Sequence, residues 1–222
     1  MGNRAVVSQD FDRIALVEAD GWSHNSHYHG MLLKRVPPHC REALEIGCGT
    51  GAFARLLAER VGHVLALDLS PNMIRIAAER SARHPNIDFE VGDVMERQFL
   101  PGRFDCIASI ATLHHLPLEV IVPKLKDALK PGGTLLILDL YKWEGLGGLL
   151  NSAVAMPTSL ALRLLKTGRL RDSREVRRAW EAHGEHDSYL TLSEARRVYG
   201  ALLPGTRVRG HLMWRYSAVW KK

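Results

Sequence analysis

The residues best able to do chemistry cluster around a short glycine-rich stretch, "EIGCGTG", whose full pattern is Glu45-x-Gly47-x-Gly49-x-Gly51. Glycine lets a backbone approach a ligand closely and adopt positive φ. A helix that starts just after such a turn offers unsatisfied N–H groups, which suit an anion. That anion is either a pyrophosphate or an amino-acid carboxylate. Gly47, Gly49 and Ala52 also satisfy the loose dinucleotide pattern G-x-G-x-x-G/A, a weak signal taken alone. Asp68, in "LALDLS", stands where a carboxylate accepts both hydroxyls of an unmodified ribose, which fits NAD as well as any other adenosine ligand. Asp93, in "VGDV", stands where an acid accepts a hydrogen bond from an adenine amino group. His114 and His115, in "TLHHLP", are candidate proton acceptors, because an unperturbed imidazole titrates near neutrality. A second polar and aromatic cluster, His24, Asn25, His27, Tyr28 and His29, lies near the start. No carboxylate completes a convincing metal-ligand set there, so no metal is expected.

The elements that must position these residues alternate. "ALEIG", "HVLALDL", "NIDFEVGD", "FDCIASI" and "GGTLLILDL" read as five strands, separated by "AFARLLAER", "SPNMIRIAAERSAR" and "LEVIVPKLKDALK" at helical spacing. Ser70 is an expected N-cap, with Pro71 at the first helical position. Strands alternating with helices imply a parallel sheet covered on both faces. The end breaks the pattern, since "GTRVRGHLMWRYSAVWKK" holds two strand-like runs too close together for a helix between them. They are expected to pair as an antiparallel hairpin, which is not the usual ending of a dinucleotide-binding domain.

Taken together, "EIGCGTG", "ALDLS", "GDV", "FDCIASIATLHHL" and "LKPGGTLLILDL", in order from Arg41 to Leu140, resemble the class I S-adenosylmethionine-dependent methyltransferases. The terminal hairpin fits that family too. The resemblance implies a doubly wound, Rossmann-like α/β fold, with a mostly parallel seven-stranded sheet ending in an antiparallel hairpin and a helical lid inserted after the fifth strand. It implies S-adenosylmethionine as cofactor. Gly47, Gly49 and Gly51 would line the methionine moiety, with Glu45 ordering the loop. Asp68 would bind the ribose, while Leu69 and Met73 pack near the adenine. Asp93 and Val94 would hold the adenine edge, and Ser109 and Ile110 would contact the amino-acid end through their backbone. An N-terminal segment often folds over the cofactor in this family, which points to Tyr28 and Asn25. His114 and His115 are the candidate catalytic residues. The expected organisation is one domain, with a cap segment over 1–38, a cofactor-binding core over 39–140, a helical insertion over 141–192, and a last helix with the hairpin over 193–222.

Composition narrows the function. The 222 residues suit one domain with a full core. Cys40, Cys48 and Cys106 are odd in number and form no C-x-x-C, so neither a disulfide framework nor a zinc site is suggested; Cys106 reads as core. The opening residues include Asp10, Asp12 and Glu18 and no apolar run, so no signal peptide is expected, and the stretch Leu149 to Leu165 is too interrupted to span a bilayer. A cytoplasmic location is expected. "SIAT" follows the fourth strand where "NPPY" or "DPPY" would mark base-amine methylation. A small-molecule acceptor is therefore expected rather than nucleic acid. The alternatives are an RNA or protein methyltransferase, an NAD-linked oxidoreductase, and a non-catalytic cofactor-binding protein.

The net charge of +6 is uneven: residues 1–159 carry 16 Lys+Arg against 18 Asp+Glu, and residues 160–222 carry 14 against 6. Between Leu160 and Trp180 stand Arg163, Lys166, Arg169, Arg171, Arg174, Arg177 and Arg178, against Asp172 and Glu175. If that segment covers the site with an arginine turned inward, it favours an amphipathic, anionic acceptor; otherwise it is a solvated basic face.

Overall fold

The computed structural model describes residues 2–17, 21–143, 145–171, 173–184 and 188–222. Helix α1 (Gly2–Val17) is followed by a 3-10 turn over Ser26–Tyr28 and the short α2 (His29–Leu33). The sheet then begins: β1 (Glu42–Ile46), α3 (Ala52–Ala58), β2 (His63–Asp68), α4 (Pro71–Arg80), β3 (Ile87–Val91) and β4 (Phe104–Ile110). After a 3-10 turn over Leu113–His115 come α5 (Leu118–Ala128), β5 (Leu129–Leu140), α6 (Gly145–Thr167), α7 (Arg174–Gly184), α8 (Leu192–Leu202), β6 (Arg207–His211) and β7 (Arg215–Lys221).

The seven strands lie in the order β3-β2-β1-β4-β5-β7-β6. The first five run parallel, and β7 enters antiparallel between β5 and β6. The hairpin expected at the end is thus present and lies within the sheet. Because strand side chains alternate, β1 sends Leu44 and Ile46 to one face and Ala43 to the other. Leu44 and Ile46 join Leu65, Ile107 and Leu135 under α5 and α8. Ala43 joins Ala66, Cys106 and Ala108, small residues that admit Phe53 and Leu57 of α3 and Leu32 of α2. Both layers exclude water from the central strands, which fixes their register, since a one-residue slip would exchange the faces.

Caps place the helices. Ser70 Oγ accepts from Met73 N at 3.1 Å with Pro71 next to it, as the sequence implied. Thr191 and Glu194 close a reciprocal capping box that starts α8. Two regions differ from the sequence reading. The cap segment over 1–38 opens with one 16-residue helix that no sequence motif marked. It is tethered through Asp12 Oδ1, which accepts from Ser70 Oγ at 2.5 Å and Asn72 N at 3.1 Å at the start of α4. The fifth strand begins at Leu129, ahead of Gly132 and Gly133, because the last residues lie alongside it: Gly132 N donates to Lys222 O and Lys222 N to Gly133 O.

Candidate active site

The C-terminal ends of β1, β2, β4 and β5 open onto one cavity of about 460 Å3, the crevice in which open α/β sheets bind ligands. Its floor is the loop after β1. Gly47 N and Cys48 N both donate to Leu67 O of β2, at 2.8 and 3.0 Å, so the loop is pinned to the neighbouring strand. Gly47, Gly49 and Gly51 all have positive φ, at 69°, 52° and 76°. Their reasons differ. A Cβ at Gly47 would collide with the Thr112 side chain, and one at Gly51 would press on Phe89 and Ala77 at 3.0 and 3.1 Å. At Gly49 a Cβ would meet nothing within 4 Å, so the strand end leaves that side open to a ligand.

Three acids stand over this floor. Asp68 Oδ2 accepts from Gly49 N at 2.8 Å and Oδ1 from Ser70 N at 2.9 Å, so β2, the loop and α4 meet at one carboxylate. Burial pushes its pKa up, against the lowering effect of those N–H groups. Glu45 is buried, its Oε2 has no hydrogen-bond partner among the described residues, and burial followed by the Asp68 charge raises its pKa well above normal. Asp93 Oδ1 accepts from Met95 N at 2.8 Å, which turns the chain after β3 and sets Gly92, Asp93 and Val94 along the wall. Leu69 and Met73 supply apolar wall beside them.

The opposite wall is assembled from distant segments. His114 follows β4; its backbone N–H donates to Asp139 Oδ2 at 3.0 Å, and its Nδ1 lies 2.6 Å from Asp139 Oδ1. Asp139, near the end of β5, is 1% exposed. The His115 ring lies tilted by 45° against His114, centroids 3.9 Å apart, and packs edge-on to Phe11 of α1. Phe11 also touches His183 of α7, with ring centroids 4.5 Å apart, and Trp180 joins them. Arg215, the first residue of β7, is buried; its Nε donates to Asn25 Oδ1 at 2.6 Å and its Nη1 to Met213 O at 3.1 Å. A guanidinium has five N–H donors, and burial lowers its pKa to about 10, so Arg215 remains cationic at neutral pH.

The structure brings together His114, His115, Asn25, Glu45, Gly47, Gly49, Asp68, Leu69, Met73, Asp93, Val94 and Ile110 on the cavity wall. It leaves three expected contacts off that wall. Tyr28 turns away, donating its hydroxyl to Leu212 O at 2.7 Å against the hairpin; its neighbour His29 lines the cavity instead. Gly51 serves the packing of α3 against Phe89. Ser109 points behind the loop, its Oγ 3.4 Å from Ile46 O. Of the two readings of the arginine run, the solvated face fits better: none of Arg163, Lys166, Arg169, Arg171, Arg174, Arg177 and Arg178 lines the cavity, and Asp172 lies outside the described residues. The cation that does reach it, Arg215, carried no local signal beyond its place at the hairpin. Asp139 lies in an apolar strand with no motif of its own, and Phe11 and His183 belong to no motif.

This donor set fits S-adenosylmethionine better than a dinucleotide. The cofactor carries sulfonium and ammonium cations against a single carboxylate, and the loop end of the cavity is lined by Glu45, Asp68 and Asp93. A pyrophosphate would place two negative charges among these acids.

Comparisons agree. A family model described as "Methyltransferase domain" matches residues 43–133. An uncharacterized methyltransferase of Mycobacterium tuberculosis is 30% identical over 203 residues, 90% of this chain and 96% of the relative. Phosphoethanolamine N-methyltransferase 2 of Caenorhabditis elegans is 38% identical over 98 residues, 42% of this chain and 22% of that protein. Among solved structures, the N-methyltransferase NodS of Bradyrhizobium japonicum, in complex with S-adenosyl-L-homocysteine, superposes with a TM-score of 0.65 at 19% identity, over 97% of this chain and 98% of that one. From the glycine loop to the inserted hairpin, the chain belongs to the class I S-adenosylmethionine-dependent methyltransferases.

Proposed function

We propose that the protein methylates a small amphipathic molecule bearing an anionic group. The observation that carries this reading is Arg215, a buried cation on the cavity wall across from the acid-lined loop. Two of its five N–H donors are used by Asn25 and Met213, which hold the guanidinium in place; the others suit a carboxylate or phosphate. The similarity to a phosphoethanolamine methyltransferase supports an acceptor of this charge.

The roles then divide between the two ends. Gly47 and Gly49 bring backbone against the methionine end of the cofactor, beside Glu45. Asp68 takes the ribose hydroxyls, and Asp93 with Val94 takes the adenine edge, between Leu69 and Met73. Asn25 reaches the same space while steadying Arg215. When bound, the cofactor supplies a methyl group already activated by its positive sulfur. The protein's task is alignment, which lowers a bimolecular barrier by several kcal/mol. His114 receives the acceptor's proton where the nucleophile must lose one; Asp139 accepts from its Nδ1 and so favours the tautomer that accepts at Nε2. His115 shapes the wall between His114 and Phe11. A cytoplasmic site of action accords with three free, buried cysteines. The helices after β5 act as the cap over the acceptor, since Trp180 and His183 of α7 line the cavity.

Transfer of labelled methyl from S-adenosylmethionine to a panel of amphipathic acids and their amides tests the reading. Acids that turn over while their amides do not support it. Equal turnover of acids and amides, or turnover confined to cationic acceptors, overturns it.

A further inference from the structure

Helix α6 is inside out. Its polar residues face the protein: Asn151 donates to the Tyr141 hydroxyl at 2.8 Å, Ser152 accepts from Trp214 Nε1 at 3.3 Å, and Ser159 Oγ lies 2.6 Å from His24 Nε2. Ala155, on the same side, is buried. The outward face is apolar. Val154 is 53% exposed, Met156 58%, Leu160 45%, Leu164 48% and Leu165 80%, with Pro157 and Ala161 between them. At 3.6 residues per turn these positions form one continuous stripe on the solvent side. A water-facing helix normally carries its charges there, and an exposed apolar patch of this kind marks an interaction site.

Apart from the half-buried Arg163, the charges begin where the stripe ends. Lys166, Arg169, Arg171, Arg174, Arg177 and Arg178 are all exposed, and Glu175 is the only acid among the described residues of that stretch. An apolar face bordered by lysine and arginine is the composition of a helix that lies in the plane of a bilayer, with its side chains at the headgroup boundary. The same cations are drawn to anionic lipid. They weigh against a second copy as the occupant, because pairing two α6 faces brings two such clusters together. Crossing the membrane is not required: among the described residues no helix is long and apolar enough to do so.

We infer that α6 and the start of α7 form a peripheral docking surface for an anionic membrane. This goes beyond the methyl-transfer reading and holds whatever the acceptor is. Its test is co-sedimentation of the full chain with vesicles of phosphatidylcholine, with and without phosphatidylglycerol. Binding should occur with the anionic vesicles and weaken as salt is raised. A Leu160→Glu/Leu164→Glu variant should bind these vesicles about ten-fold more weakly or worse, with affinity for S-adenosylhomocysteine unchanged. Both leucines are exposed, so the fold does not depend on them. Should that variant misfold, Lys166→Gln/Arg169→Gln makes the same test, with loss expected on anionic vesicles. The inference is overturned if the unaltered chain stays in solution with both vesicle types, or if the folded variants bind as tightly as it does. It is equally overturned if sedimentation velocity shows a dimer that Leu164→Glu splits while no vesicles are bound.

Discussion

The two walls of the cavity are built in different ways. The loop wall is made of backbone: Gly47, Cys48 and Gly49 bond to β2 or to its last residue, and each acid lies within two residues of a strand end. The facing wall is made of side chains from Phe11, Asn25, His114, His183 and Arg215, with Asp139 behind His114, which meet only when the chain has folded. The first wall suits one unchanging ligand, because strand geometry dictates it. The second can be altered residue by residue without disturbing the sheet. Cofactor recognition and acceptor choice are thereby separated, and they should fail separately.

The sharpest test of that separation is Arg215→Met. Removing one partner of a buried, hydrogen-bonded charge pair costs about 2–5 kcal/mol, or a rise in acceptor KM of roughly 30-fold or more. Calorimetry should meanwhile find cofactor affinity unchanged, and an equal loss of both would break the comparison.

Next comes pH. His29 lines the cavity against Phe53, where burial lowers its pKa from 6.5 to about 4. Between those values the unfolded chain takes up a proton that the folded chain refuses. The stabilisation is therefore complete above pH 6.5 and is lost as pH falls towards 4, by about 3 kcal/mol in all. Urea unfolding across this window should show the slope in the native sequence, and His29→Gln should flatten it.

Asp68→Ala probes the backbone wall. Losing hydrogen bonds to a charged acceptor costs about 1.5–3 kcal/mol, a roughly 10- to 150-fold loss of S-adenosylmethionine affinity. An unaltered dissociation constant in a folded variant would remove Asp68 from the ribose site. The smallest effect belongs to the exposed cations. Arg169→Ala or Arg177→Ala should change acceptor KM less than about two-fold, since an isolated surface charge contributes little. A large change in a soluble assay would return these arginines to the cavity.

What could be read from the sequence follows the same division. β1 to β5, the Ser70 cap and the terminal hairpin announce themselves through periodicity and turn chemistry, while Gly47, Gly49, Asp68 and Asp93 take their roles from the family resemblance. The errors lie where tertiary contact decides. Tyr28 is the expected contact and His29 only its neighbour, yet the fold sends Tyr28 to Leu212 and His29 to the cavity. Asp139 sits in an apolar strand, and its value depends on His114, 25 residues away. Arg215 gains its meaning from Asn25, 190 residues earlier. The arginines after Leu160 drew attention as a run, whereas the cation on the cavity wall stands apart from them.

The loop wall suits a cationic adenosyl ligand and not a pyrophosphate. Isothermal titration of the purified chain with S-adenosylmethionine, S-adenosylhomocysteine and NAD tests it directly. Saturable binding of both adenosyl ligands at one site per chain, with no heat from NAD, is the expected result. Saturable NAD binding with no response to either adenosyl ligand would contradict the account.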